Sequence, residues 1–109
     1  MNYPEGSIKA KAPRMAAAIE AAVARRPEEE EKEEREAYGR LLHWFVGTAV
    51  NLEMVVIKGL GGAPPAVRAH TLQTLADALR MAALGACLDW EEARDCLLLA
   101  RRDLGLEES

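Results

Sequence analysis

The chain has 109 residues, a formal net charge of −4, 50% hydrophobic but only 5% aromatic residues, and two cysteines. One domain of this length buries about two-thirds of its unfolded surface. The acidic balance argues against general nucleic-acid binding, which needs an excess of Lys and Arg to neutralise phosphate.

Residues 1–12, MNYPEGSIKAKA, lack periodicity and contain Pro4, Gly6 and Ser7, so they read as a flexible N-terminal arm ahead of a single helical domain over 13–109. Lys9, Lys11 and Arg14 precede an alanine-rich run, as in a secretory leader, but Glu20 interrupts that run and large apolar residues are scarce. The expected location is therefore cytoplasmic. Pro13 suits the first turn of a helix, and Met15, Ile19 and Val23 then form a stripe at four-residue spacing up to Arg26. Such a short helix is marginal alone and must pack on something.

Pro27 ends this helix and can start the next, whose first turns, Glu28 to Glu36, place acids at the positive end of the helix dipole. The second helix is predicted from Pro27 to Lys58, roughly 45 Å at 1.5 Å per residue. Its stretch from Tyr38 to Leu60 is apolar on most of its circumference. At about 100° per residue, Tyr38, Leu41, Leu42, Phe45, Ala49, Leu52, Val56 and Leu60 share one broad sector, which Val46, Val50 and Ile57 widen. A bilayer span of this length is conceivable. His43, Asn51, Glu53 and Lys58 interrupt it, however, and an acid near the centre costs roughly 2.5–3.5 kcal/mol. The expectation is a buried central helix with no membrane.

Gly59-Leu60-Gly61-Gly62-Ala63 is a helix stop and turn, and Pro64-Pro65 opens a third helix with Leu72, Leu75, Leu79 and Ala82 or Ala83 inward and Gly85 as its stop. The glycine-rich turn follows a helix instead of a strand and lacks the Gly-Lys-Ser/Thr ending of a phosphate cradle. Asp89 followed by Glu92 has the spacing of a capping box, with Leu88 placed to staple onto Ala93. A fourth helix to about Asp103 then buries Trp90, Ala93, Leu97, Ala100 and Leu104, and Gly105 ends it. Arg25-Arg26 and Arg101-Arg102 fall at helix C-termini, where cations meet the dipole favourably. No alternating pattern supports a strand. The fold class is all-α: a four-helix bundle with one long central helix and a C-terminal antiparallel helical hairpin.

The stretch GACLDWEEARDCLLLARRDL, Gly85 to Leu104, resembles the second helix of a tetratricopeptide-type hairpin, with a small-residue turn before a Glu-Glu-Ala start. It covers about a fifth of the chain, no second copy follows at about 34 residues, and the turn is long for that family. No binding residue is carried over. Glu30/Glu33 with Glu92/Asp95 resemble the paired acids with which helical nucleotide pyrophosphohydrolases hold magnesium, although the pairs are far apart in sequence and the second coincides with a helix cap.

Cys87 and Cys96 are too few for a disulfide framework and sit in apolar company, so both are read as buried reduced thiols. With His43 and His70 they supply two His and two Cys, but their order and wide gaps match no zinc finger or knuckle. No metal or cofactor is expected. Glu53 falls on the apolar side of the second helix, and a buried carboxylate needs a partner; Arg68, Arg80 and Arg94 are the candidates. His43, Gly47 and Asn51 share a stripe with Trp44 beside it, and Gly47 would let another helix approach closely. These four form a candidate interface.

A helix this apolar is hard to cover with one short helix and one hairpin. The sequence thus points to a non-enzymatic interaction protein, a homo-oligomer or the binder of a partner protein, serving as adaptor, inhibitor or small subunit. The alternatives are a small metal- or nucleotide-dependent helical enzyme and a nucleic-acid-associated accessory protein using the basic arm from Lys9 to Arg14.

Overall fold

The computed structural model describes residues 11–106. It is the all-α four-helix bundle expected from the sequence, with no strand among the described residues. The helices are α1 (Pro13–Ala24), α2 (Lys32–Gly59), α3 (Pro65–Gly85) and α4 (Trp90–Asp103).

The core is built from three of them. Met15, Ile19 and Ala22 of α1, Leu42, Phe45, Val46, Ala49 and Val50 of α2, and Ala93, Cys96, Leu97 and Ala100 of α4 form one buried cluster. The short alanine-rich α1 is therefore central, because small side chains let it nest between α2 and α4. At Gly39 of α2 a Cβ would stand 2.8 Å from Val23 Cγ2, so the absence of a side chain sets the approach of α1. α3 contributes only Leu79 and Ala83 to the core; Leu72 and Leu75 are half-buried and Ala82 is exposed.

The N-terminal residues 1–10 of the expected arm lie outside the described residues, but Ala12 is fully buried and belongs to the core. The Arg14 backbone N–H donates to Asp103 Oδ2 at 2.9 Å, and Arg14 Nε lies 3.5 Å from Asp103 Oδ1. An acid from the end of α4 thus serves an otherwise orphan donor in the first turn of α1. Arg14, read as part of a basic arm, is occupied by this contact.

α2 begins at Lys32, one turn later than predicted from Pro27. The Pro27 carbonyl accepts from Glu30 N–H at 3.0 Å and from Arg35 Nη2 at 2.9 Å, which closes residues 27–30 into a separate turn. Arg26 fastens that turn through Nε to Glu30 Oε2 at 2.8 Å and Nη2 to Glu30 Oε1 at 2.7 Å. This hydrogen bond holds the Glu30 carboxyl below its ordinary range and raises the Arg26 guanidinium above its own. Arg26 also lies over the Tyr38 ring, 4.2 Å from its centroid. Arg25 Nη2 meets Glu92 Oε2 at 2.9 Å. The arginine pair read as a dipole cap instead links α1 to acids elsewhere.

The helix ends show one motif in two chemistries. At the end of α4, Leu106 N–H donates to Arg101 O at 2.8 Å and Gly105 N–H to Arg102 O at 3.2 Å, with Gly105 at φ +71. At the end of α3, Leu88 N–H donates to Ala83 O at 3.0 Å and Cys87 N–H to Leu84 O at 3.1 Å, with Cys87 at φ +62. Both are Schellman stops. Gly85 is the last residue of α3, where the stop was predicted, but the left-handed position falls two residues later on a cysteine. Cys87 is accordingly exposed, against the expectation of two buried thiols; Cys96 is buried as expected, and burial pushes its thiol up to about 11.

Candidate functional site

Two features of α2 concern function: a polar pair on its inner side and an apolar face on its outer side. The inner feature is Glu53, the one buried charged residue of the described core, at 7% exposure. Its Oε2 lies 2.5 Å from Arg101 Nη2. None of the three arginines proposed from sequence is the partner. Arg101 was taken for a dipole cap, yet it follows Ala100 and precedes Leu104 by three residues, so the buried stripe of α4 already carried the signal. Glu53 Oε1 and Arg101 Nε are buried without a hydrogen-bond partner among the described groups.

Glu53 and Arg101 join Ile57, Leu72, Leu75 and Leu98 in lining a groove of about 260 Å³ between α2, α3 and α4. The groove exists because α3 closes on the bundle only near its C-terminal end. α4 runs alongside α2 in the same direction, since Tyr38 meets Glu92 near their starts and Glu53 meets Arg101 near their ends.

The acids that resembled magnesium-holding pairs have other roles. Glu30 holds Arg26, and Glu92 accepts from the Tyr38 hydroxyl at 2.7 Å and from Arg25. Asp95 is exposed with Arg94 Nη2 3.8 Å away. Among the described residues no group of three or more His, Cys, Asp or Glu side chains is placed to share a metal ion.

The outer feature is the solvent side of α2, opposite Leu42, Val46 and Ala49. Trp44 is 58% exposed, Leu52 43% and Val55 68%. Of the sequence-derived interface residues, Trp44 and Asn51 are exposed, and His43 and Gly47 are half-buried. The four therefore do not form one free stripe; His43 and Gly47 turn toward the flank. The exposed run is instead Ala37, Trp44, Thr48, Asn51, Val55 and Lys58, with half-buried Leu41 between the first two. These positions recur at alternating steps of four and three, the spacing of a coiled-coil seam. Leu41 packs against the core, as its place in the apolar sector implied, whereas Leu52 of the same sector is exposed.

Further apolar side chains are exposed on α3, namely Val67, Met81 and Leu84. By length and mean hydropathy α2 is also the one described helix that passes as a candidate membrane span. A third of its most apolar window is buried inside the bundle. Comparison with models of known families, with curated proteins and with solved structures found no match to the chain.

Proposed function

We propose that the chain is a non-enzymatic helical interaction protein whose outer α2 face docks a helix of another polypeptide. One observation carries this reading: large apolar side chains, Trp44 and Val55 foremost, stand in solvent along the same helix whose opposite face forms the core. Exposed apolar residues scattered singly need no explanation, but Trp44 and Val55 share one exposed line of a rigid helix, a surface a second helix can cover.

The test is the mass of the assembly isolated intact from the source cell through a small tag, for wild type and for Val55→Glu. The reading expects wild type to carry associated protein, copies of itself included, that the variant loses while its circular-dichroism melting curve is unchanged. The same associated mass in both would remove the α2 face from the proposal.

A further inference from the structure

We propose that the groove between α2, α3 and α4 binds a small amphipathic molecule with an aliphatic body and an uncharged head that both donates and accepts hydrogen bonds, a primary alcohol in its simplest form. This site is separate from the outer α2 face and independent of what covers that face.

The walls define the body. Ile57, Leu72, Leu75 and Leu98 line the groove with aliphatic side chains, and no aromatic ring among the described residues lines it. A dry apolar cavity of roughly 150 Å³ holds one benzene, so a groove of about 260 Å³ has space for about eight to ten non-hydrogen atoms. Mostly apolar walls with a few polar groups that fix orientation are the usual form of a small-molecule site.

Two atoms define the head. Glu53 is 7% exposed; its Oε2 is taken by Arg101 Nη2, while its Oε1 is buried without a hydrogen-bond partner. Arg101 Nε is buried and unpartnered in the same way. The first atom needs a donor and the second an acceptor, and a buried group left unmet is costly. A hydroxyl supplies both from one oxygen. Charged heads fail on both counts. A carboxylate has no donor for Glu53 and repeats its charge; an ammonium has no acceptor for Arg101 and repeats that charge. Because Glu53 and Arg101 already neutralise each other, an uncharged head keeps the balance that burial demands. A water molecule matches the head but leaves the leucine walls in solvent, whereas an aliphatic chain covers them.

Both polar atoms are covered by their neighbours, so the head enters only where a wall gives. That wall is α3, whose buried residues are Leu79 and Ala83 alone, both toward its C-terminal end. Arg101, with 29% of its side chain exposed, is the movable half of the pair.

The experiment uses the full chain carrying 13C in its leucine and isoleucine methyl groups. Four probes with one body and different heads are titrated below their aggregation limits at pH 7: 1-octanol, octyl methyl ether, octanoate and octylammonium. Methyl shifts and the melting temperature are followed. 1-Octanol should bind saturably, with shifts concentrated at Ile57, Leu72, Leu75 and Leu98 and a melting temperature that rises with its concentration. It should bind about fivefold or more tighter than the ether, which lacks the donor, and about tenfold or more tighter than either charged probe. Leu75→Trp, at a half-buried position, should fill the groove and abolish binding; Leu72→Trp replaces it if its melting curve shows that it does not fold. Glu53→Leu with Arg101→Met keeps the walls and removes both head contacts, so the preference for 1-octanol over the ether should vanish or reverse. Equal affinity for those two probes in wild type, or a preference that survives in the double variant, would overturn the proposal. Shifts that never saturate and spread to the exposed Leu52 and Leu84 would show adsorption on surface apolar groups and overturn it as well. A wild type that responds to none of the four probes would leave the pair to water alone and overturn it.

Discussion

The Tyr38 hydroxyl sits between the two halves of the α4 cap: it donates to Glu92 Oε1 at 2.7 Å and accepts from Asp89 N–H at 3.4 Å. In a capping box the Glu side chain itself would reach back to the cap N–H. Here Asp89 Oδ1 accepts from Glu92 N–H at 3.0 Å, as the sequence indicated, but the return bond passes through a tyrosine from α2. A local helix signal has become a tertiary fastening between α2 and α4, with Arg25 adding α1 through Glu92.

Tyr38→Phe keeps the ring and removes this link, leaving Asp89 N–H and one Glu92 oxygen to solvent. A loss of about 1–2 kcal/mol is expected in denaturant unfolding. Burial, then the bond to Glu92, pushes the Tyr38 phenol up to about 12. A group whose pKa is raised on folding contributes its full stability below its unfolded value, near 10, and loses it as pH rises through the folded value. Wild-type stability should therefore fall between pH 10 and about 12. Tyr38→Phe should lack that slope, and a variant that retains it would assign the loss to other groups.

Gly39→Ala should destabilise the bundle although alanine is the better helix former. The new Cβ would stand 2.8 Å from Val23 Cγ2, and a β-branched side chain has little rotamer freedom to yield. The expected cost is about 1–3 kcal/mol, as for overpacking. Gly85→Ala is the control: it is also helical, a Cβ there meets nothing within 4 Å, and it should gain about 0.5–1 kcal/mol. Val23→Ala combined with Gly39→Ala should recover part of the loss; strict additivity of the two would place the clash elsewhere.

The paired helix stops make opposite substitutions informative. Cys87 occupies the left-handed position that glycine fills at Gly105. Cys87→Gly should raise thermal stability by up to about 1 kcal/mol, while Gly105→Ala lowers it by about as much. Equal and small effects at both sites would mean that the turns relax without strain.

The Glu53–Arg101 pair should behave as a buried salt bridge. Arg101→Met should cost about 3 kcal/mol because it leaves the Glu53 charge buried, while Glu53→Gln should cost less because the Arg101 side chain is 29% exposed and keeps access to water. Glu53→Leu with Arg101→Met should recover most of it, since an apolar pair extends the walls formed by Ile57 and Leu98. A double variant as unstable as either single one would show that the pair does more than neutralise itself.

The sequence made the elements legible where the signal was local. The α2 sector around Leu42, Phe45 and Ala49, the Asp89 cap and the Gly105 stop all follow from periodicity or from residues within one turn. Distant contacts were not legible in the same way. Arg101 was hidden because a cation at a helix end already has a local explanation. Gly39 was hidden because a glycine inside an apolar helix marks close approach only once the neighbour is known. The late start of α2 depends on Arg26 and Arg35 holding Glu30 and the Pro27 carbonyl, two competitors with helical bonding. Glu53 was found because an acid in an apolar sector is conspicuous on a wheel. Of the four residues read as an interface, Trp44 and Asn51 are exposed and His43 and Gly47 are half-buried, and the exposure of Val55 was not legible because neighbouring Val56 and Ile57 continue the apolar sector.

The most direct measurement is the light-scattering mass of the purified full-length chain over a concentration series, for wild type beside Val55→Glu. Wild type should rise from the one-chain mass to twice that mass, while the variant, with an unchanged melting curve, stays at one chain over the same range. Identical curves for the two proteins would contradict self-association through the outer face of α2.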